Sequence, residues 1–145
     1  MAAACPVALI KIDENLVRLQ AFFVVIAVAA FLWSDSFWLL ALLVYDFAVR
    51  VLGAPKGSPF FLTSRAVVKR LPVSAKPVDA GPKKFAAKIG LVFVITALLL
   101  AVGGYVEAAT WLMGVMALFA LLEAACGFCV GCKLYALCLP LFSRQ

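Results

Sequence analysis

The chain has 145 residues, of which 67% are hydrophobic and 14% charged, with thirteen Lys and Arg against seven Asp and Glu and a net charge of +6. Mean hydropathy is +1.14, which excludes an ordinary soluble domain, because a chain of this size cannot hide so much apolar surface in its interior. There is no histidine, which excludes Ser–His–Asp and Cys–His catalysis.

The expected fold is a single all-α integral membrane domain over residues 1–145. The start, MAAACPVALIKIDEN, lacks a basic region and soon carries acids, so it does not read as a cleaved signal peptide. Asp13, Glu14, Asn15 and Arg18 cluster where the first helix begins, and Asp13 or Asn15 is placed to cap it. Apolar runs then mark four transmembrane helices as two hairpins, near 16–33 and 37–53, and near 87–105 and 108–126. A span needs about 20 mostly apolar residues. Helices rather than strands follow from the absence of alternation and from the need to satisfy the backbone within lipid.

In the second span, Asp46 and Arg50 stand four residues apart on one helical face, a favourable spacing for an ion pair. Charges at that depth face a bundle interior or water. The middle loop, 54–86, is basic. Ser58-Pro59 opens a helix through FFLTSRAVVKRL that ends before Pro72. Phe60, Phe61, Val67, Val68 and Leu71 share one face and Arg65, Lys69 and Arg70 the other, which describes a short amphipathic helix lying in the interface. PVSAKPVDAGPKK, with three prolines and a glycine, reads as a linker.

Orientation follows from the cations. Lys11 and Arg18 precede the first span, nine Lys and Arg run from Arg50 to Lys88 inclusive, and Lys133 and Arg144 follow the fourth. The short hairpin turns carry none, and Trp33, Trp38, Trp111 and Tyr105 sit beside them. Both termini and the middle loop are therefore expected on the cytoplasmic side of a bacterial inner membrane. The positive charge then meets anionic lipid, and no nucleic-acid partner is expected.

CGFCVGCKLYALCLP, residues 126–140, spaces Cys126, Cys129 and Cys132 three apart, with Cys138 beyond. On a continuous helix neighbouring pairs share a face, so adjacent sulfurs can form a disulfide or pass a persulfide. Cys5 approaches the same membrane side, and a reducing compartment argues against structural disulfides. Glu123, one turn before Cys126, is a proton acceptor, and Lys133 favours a thiolate. No cofactor is expected. An iron–sulfur cluster or zinc on the cysteine run is the alternative, against which stand the long last spacing and the apolar intervening residues. Plain packing of small apolar residues is another.

CPVALIKIDENLVRLQA, PKKFAAKIG and LEAACGFCVGCKLY together resemble a bacterial membrane family, domain of unknown function 4395, over essentially the whole chain. Its pattern falls on Cys5, Pro6, Asp13, Glu14, Asn15, Arg18, Cys129, Cys132 and Tyr135, and leaves Cys126 and Cys138 outside. The resemblance carries no established activity. It implies the company of thioredoxin-like and rhodanese-type sulfurtransferase proteins, and hence thiol redox or reduced-sulfur handling.

The expected function is thiol–disulfide or sulfane-sulfur exchange at a cytoplasmic-face site with such a soluble partner. Cys129, Cys132, Cys126, Cys5 and Glu123 carry the chemistry, and the bilayer is the surrounding medium. One rival is a small homo-oligomeric transporter or channel for a sulfur compound or other solute, with Asp46, Arg50, Asn15 and Arg18 along a polar path. The other is a membrane anchor or assembly subunit without chemistry of its own.

Overall fold

A computed structural model describes residues 11–143. The elements are β1 (Lys11–Asp13), α1 (Glu14–Ser34), α2 (Phe37–Val51), a 3-10 turn (Pro55–Gly57), α3 (Pro59–Arg70), β2 (Pro77–Asp79), α4 (Ala80–Val102), α5 (Val106–Cys126) and α6 (Val130–Ser143). Local chemistry sets many of these boundaries. Asp13 caps α1, its Oδ1 accepting from the backbone N–H of Asn15 at 3.0 Å. Asp35 turns the chain between α1 and α2 in the left-handed region, at φ 52°. Ser58 caps α3 through Oγ, which accepts from Phe61 N at 3.1 Å.

Among the described residues, three helices are long and apolar enough to cross a membrane: α1, Gly81–Val102 of α4, and α5. Their surfaces show it too, since Phe22, Ile26, Val92, Leu99, Leu118 and Leu121 point outward from the bundle. Exposed apolar surface on this scale suits lipid contact. Trp33, Trp38, Tyr105 and Trp111 are exposed around the two short turns. The segment expected as the second span is shorter: α2 has 15 residues and ends at Val51, not at residue 53. At 1.5 Å per residue it is about 22 Å long, against roughly 30 Å of hydrocarbon.

The helices pack across the two hairpins as well as within them. α1 lies against α5 and α2 against α4, with α4 against α5 and α1 against α2 completing a ring. Val28, Phe31, Leu40, Leu43, Val94, Ala97, Ala109 and Met113 are fully buried at its centre. Small residues such as Ala97, Ala101 and Ala109 let the helix backbones approach closely.

Four expectations need correction. The stretch read as a linker pairs instead: β2 lies antiparallel to β1, with Ile12 opposite Val78. Backbone groups too short of sequence for a recognisable strand pattern find partners across the fold. Second, α4 starts at Ala80, seven residues before the expected span, so the basic end of the middle loop is helical. Third, the inward face of α3 carries Phe60, Phe61, Ser64 and Val68, while Val67 and Leu71 are exposed; Phe60 stacks on Phe23 of α1 at 6.1 Å. Fourth, α5 and α6 are separate helices rather than one continuous helix through the cysteines, and α6 runs through Pro140 to Ser143.

Candidate functional site

The break between α5 and α6 shapes the cysteine region. Gly127 takes a left-handed conformation at φ 69° and its N–H bonds Glu123 O at 3.0 Å, closing the end of α5. A side chain there is strained, which is why glycine stands at this position. The sequence reading of Cys126 and Cys129 as neighbours on one helix is therefore corrected. Cys126 is the last residue of α5 and is exposed, whereas Cys129 precedes α6.

Cys129 occupies the N-cap of α6. Its carbonyl accepts from Lys133 N at 3.1 Å, and its Sγ accepts from Cys132 N at 3.3 Å. A thiol thus fills the role that Ser or Asp usually plays in satisfying an orphan N–H of the first turn. Cys132 lies one turn in, and the two thiols are within hydrogen-bond reach of each other. Cys129, Cys132 and Cys138 are half-buried, and the four cysteines of the described residues are free thiols. Cys138 lies six residues beyond Cys132, about 9 Å along the helix at 1.5 Å per residue.

α6 is held against α4 by a very close approach. A Cβ on Gly131 would meet the Ala86 Cβ at 2.5 Å and its Cα at 2.7 Å. Beside this contact Phe85 packs on the Tyr135 ring, with centroids 5.5 Å apart. The close crossing brings Lys83, in the first turn of α4, to the thiols. Lys83 Nζ donates to Glu123 Oε1 at 2.6 Å, and both side chains are largely buried. Four chemically active groups converge here from three helices.

The electrostatics divide the two thiols. Cys132 is lowered to about 7, first because the Cys129 thiol hydrogen-bonds to it and then because the Lys83 ammonium lies near; burial and the Glu123 carboxylate oppose this. Cys129 is raised, because its hydrogen bond to Cys132 holds the proton on it, with burial and Glu123 adding to the effect. The pair therefore holds one thiolate and one thiol near neutral pH, a state suited to attack on sulfur.

The other candidates have structural partners. Arg18 Nε and Nη2 donate to Ala124 O at 3.2 Å and Ala125 O at 2.8 Å, capping the last carbonyls of α5. Asn15 Nδ2 donates to Ser74 O at 3.0 Å, and Asp13 Oδ1 also accepts from Lys76 N at 3.2 Å, so both tie α1 to the middle segment. Asp46 is fully buried. It pairs with Arg50, accepts from Ser58 Oγ, and accepts from Phe60 N at 3.3 Å. The expected Asp46–Arg50 pair is present, with α3 docked on it. Cys5 lies outside the described residues.

Between the helices is a cavity of about 530 Å³ with mostly apolar walls, including Val24, Phe47, Phe93 and Met116. Gln20, Arg50, Lys83, Glu123 and Cys129 contribute to its lining, while Asn15, Arg18 and Asp46 do not. Sequence reasoning passed over Gln20 and treated Lys83 as one loop cation among many. A lone amide between Leu19 and the apolar run of α1 was the available signal for Gln20. Lys83 had no local signal. Among the described residues, no group of three Cys, Asp or Glu is arranged to hold a metal ion.

Three long apolar helices around a polar cluster at one end are compatible with a multi-pass membrane protein. The chain belongs to the family described as Domain of unknown function (DUF4395), whose model matches residues 12–139. No curated protein and no solved structure matches the chain.

Proposed function

We propose that this is a membrane-embedded thiol-exchange protein, passing electrons or sulfane sulfur between the Cys129–Cys132 pair and a soluble thioredoxin-like or sulfurtransferase partner. The observation that carries this reading is the placement of Cys132 in the first turn of α6, with the Cys129 thiol at the N-cap and Lys83 alongside. Helix N-termini and nearby ammonium groups are the settings in which thiols become reactive.

In the exchange step the Cys132 thiolate attacks a sulfur of the partner's disulfide. A mixed disulfide forms and the partner's other sulfur leaves as thiolate. Cys129 then attacks Cys132 Sγ, closing the internal disulfide and releasing the reduced partner. With a persulfide donor, Cys132 takes the outer sulfur and the donor's thiolate leaves. Cys126, exposed at the end of α5, is a relay thiol in this scheme, and Glu123 holds Lys83 in place and takes up protons.

In the same reading α2 is a short fourth span, its mismatch met by flanking residues and local bilayer thinning. The basic segments face the cytoplasm of a bacterium, and α3 lies in the interface. Mass spectrometry of the cysteines after rapid acid quench of native membranes tests the function. A Cys129–Cys132 disulfide or a Cys132 persulfide that exchanges with added partner is expected. Unmodified thiols inert to disulfides and persulfide donors would refute it.

A further inference from the structure

Of the three cations in the cavity wall, the two half-buried ones already have a counter-charge, and the third, Lys84, is exposed to solvent. Arg50 pairs with Asp46 and Lys83 with Glu123. What remains in the lining is a pair of buried donors, Gln20 Nε2 and Arg50 Nε, with no hydrogen-bond partner among the described residues. Gln20 is only 6% exposed. A buried donor left unmade costs about 1–3 kcal/mol, so two of them on residues that line one cavity call for an explanation.

The chemistry of an occupant follows from these features. Apolar walls demand an apolar body. The half-buried cations are already paired and Lys84 is exposed, so an anion held between the apolar walls would be desolvated without compensation. Orphan donors demand hydrogen-bond acceptors, and a neutral carbonyl oxygen is the acceptor that meets all three conditions. The volume is within the roughly 300–1,000 Å³ of small-molecule sites. Cys129 in the same wall brings the dithiol to this occupant.

We propose that the cavity binds a lipid-soluble quinone, its carbonyls accepting from Gln20 and Arg50, and that this quinone is the electron acceptor of the Cys129–Cys132 pair. The inference rests on the thiol-exchange reading and gives it a membrane partner. In the step, Cys129 and Cys132 lose two electrons and form their S–S bond. The quinone gains both electrons and becomes a hydroquinone. One of its two protons comes from the Cys129 thiol, and the other comes from solvent, to which Cys132 has already released its own. A soluble dithiol protein then reduces the disulfide by exchange and restores the pair.

The test uses the purified full chain in nanodiscs, without oxygen, with decylubiquinone as probe. Saturable binding is expected, with one hydroquinone formed per Cys129–Cys132 disulfide. Gln20→Leu should weaken binding at least tenfold while leaving thiol alkylation rates unchanged. It should also fold at least as stably as the parent without quinone, because it removes an unpaired polar group. Replacing Cys129 and Cys132 by Ser should retain binding and abolish reduction. Exchange of the thiols with a protein disulfide but no saturable quinone binding, or binding indifferent to Gln20→Leu, would overturn the quinone site and leave the exchange reading standing. Quinone binding without thiol oxidation would overturn the acceptor role. Thiols inert to both quinone and disulfides would overturn the exchange reading as well.

Discussion

Lys83 Nζ and Glu123 Oε1 lie 2.6 Å apart, joining the first turn of α4 to the last turn of α5 beside the Cys129–Cys132 pair. The ammonium favours a thiolate on Cys132 and the carboxylate disfavours it. Alkylation of Cys132 should therefore rise about tenfold per pH unit up to about 7 and level off above it. The thiolate is present above that pH and is lost as pH falls through it. Lys83→Met should slow alkylation at pH 7 roughly tenfold, and Glu123→Gln should speed it. Cys129→Ala should move the midpoint upward by removing the hydrogen bond that the Cys129 thiol gives to the Cys132 thiolate. Iodoacetamide kinetics with peptide mapping across pH reads all three; a midpoint near the ordinary thiol value of about 8.5 in the parent would contradict the assigned roles.

Gly131 sets the distance between α6 and α4. Its helical backbone is ordinary, so the constraint is steric. Gly131→Ala puts a methyl group onto the Ala86 backbone. The expected loss is about 1–3 kcal/mol, as for other overpacked contacts. Thermal unfolding in detergent should show a lower midpoint, and the thiols should lose their separation in pH profile as α6 moves from Lys83. The same substitution at Gly114, whose added Cβ meets nothing within 4 Å, is the control.

Asp46 is the larger structural node of its ion pair. Asp46→Ala strands Arg50, Ser58 and the Phe60 N–H together, and should cost roughly 3–5 kcal/mol. Arg50→Met leaves the carboxylate two donors from α3 and should cost less. The double variant Asp46→Ala, Arg50→Met should lose less than the sum of the singles, and α3 should become a protease-sensitive segment whenever Asp46 is absent. Unfolding free energies and limited proteolysis measure these effects; additive losses would show an uncoupled pair.

Orientation has its own measurement. In a background with the native cysteines replaced, Ser34→Cys and Glu107→Cys should react with an impermeant maleimide outside intact cells, and Ser74→Cys should not. All three positions are exposed on the protein surface, so accessibility across the bilayer decides the labelling. The opposite pattern would place the thiol pair on the outer side.

Features carried by neighbouring residues were legible in the sequence by itself. Apolar runs with polar turns defined the long helices, Ser58-Pro59 announced α3, and the spacing of Asp46 and Arg50 announced their pair, because each depends on interactions within a turn or two of chain. Even the break at Gly127 had a local cue, a glycine after an apolar helix, that the apolar character of the following residues obscured. Tertiary structure decided the rest. Lys83 meets Glu123 forty residues away, Ser58 reaches Asp46 from another helix, and β1 finds β2 across the middle segment. The cavity and its two unpaired donors exist only once α1, α2, α4, α5 and α6 pack around it. Such contacts are set by the fit of helix surfaces, in which the size of one residue, such as Gly131 against Ala86, determines what distant side chains can touch.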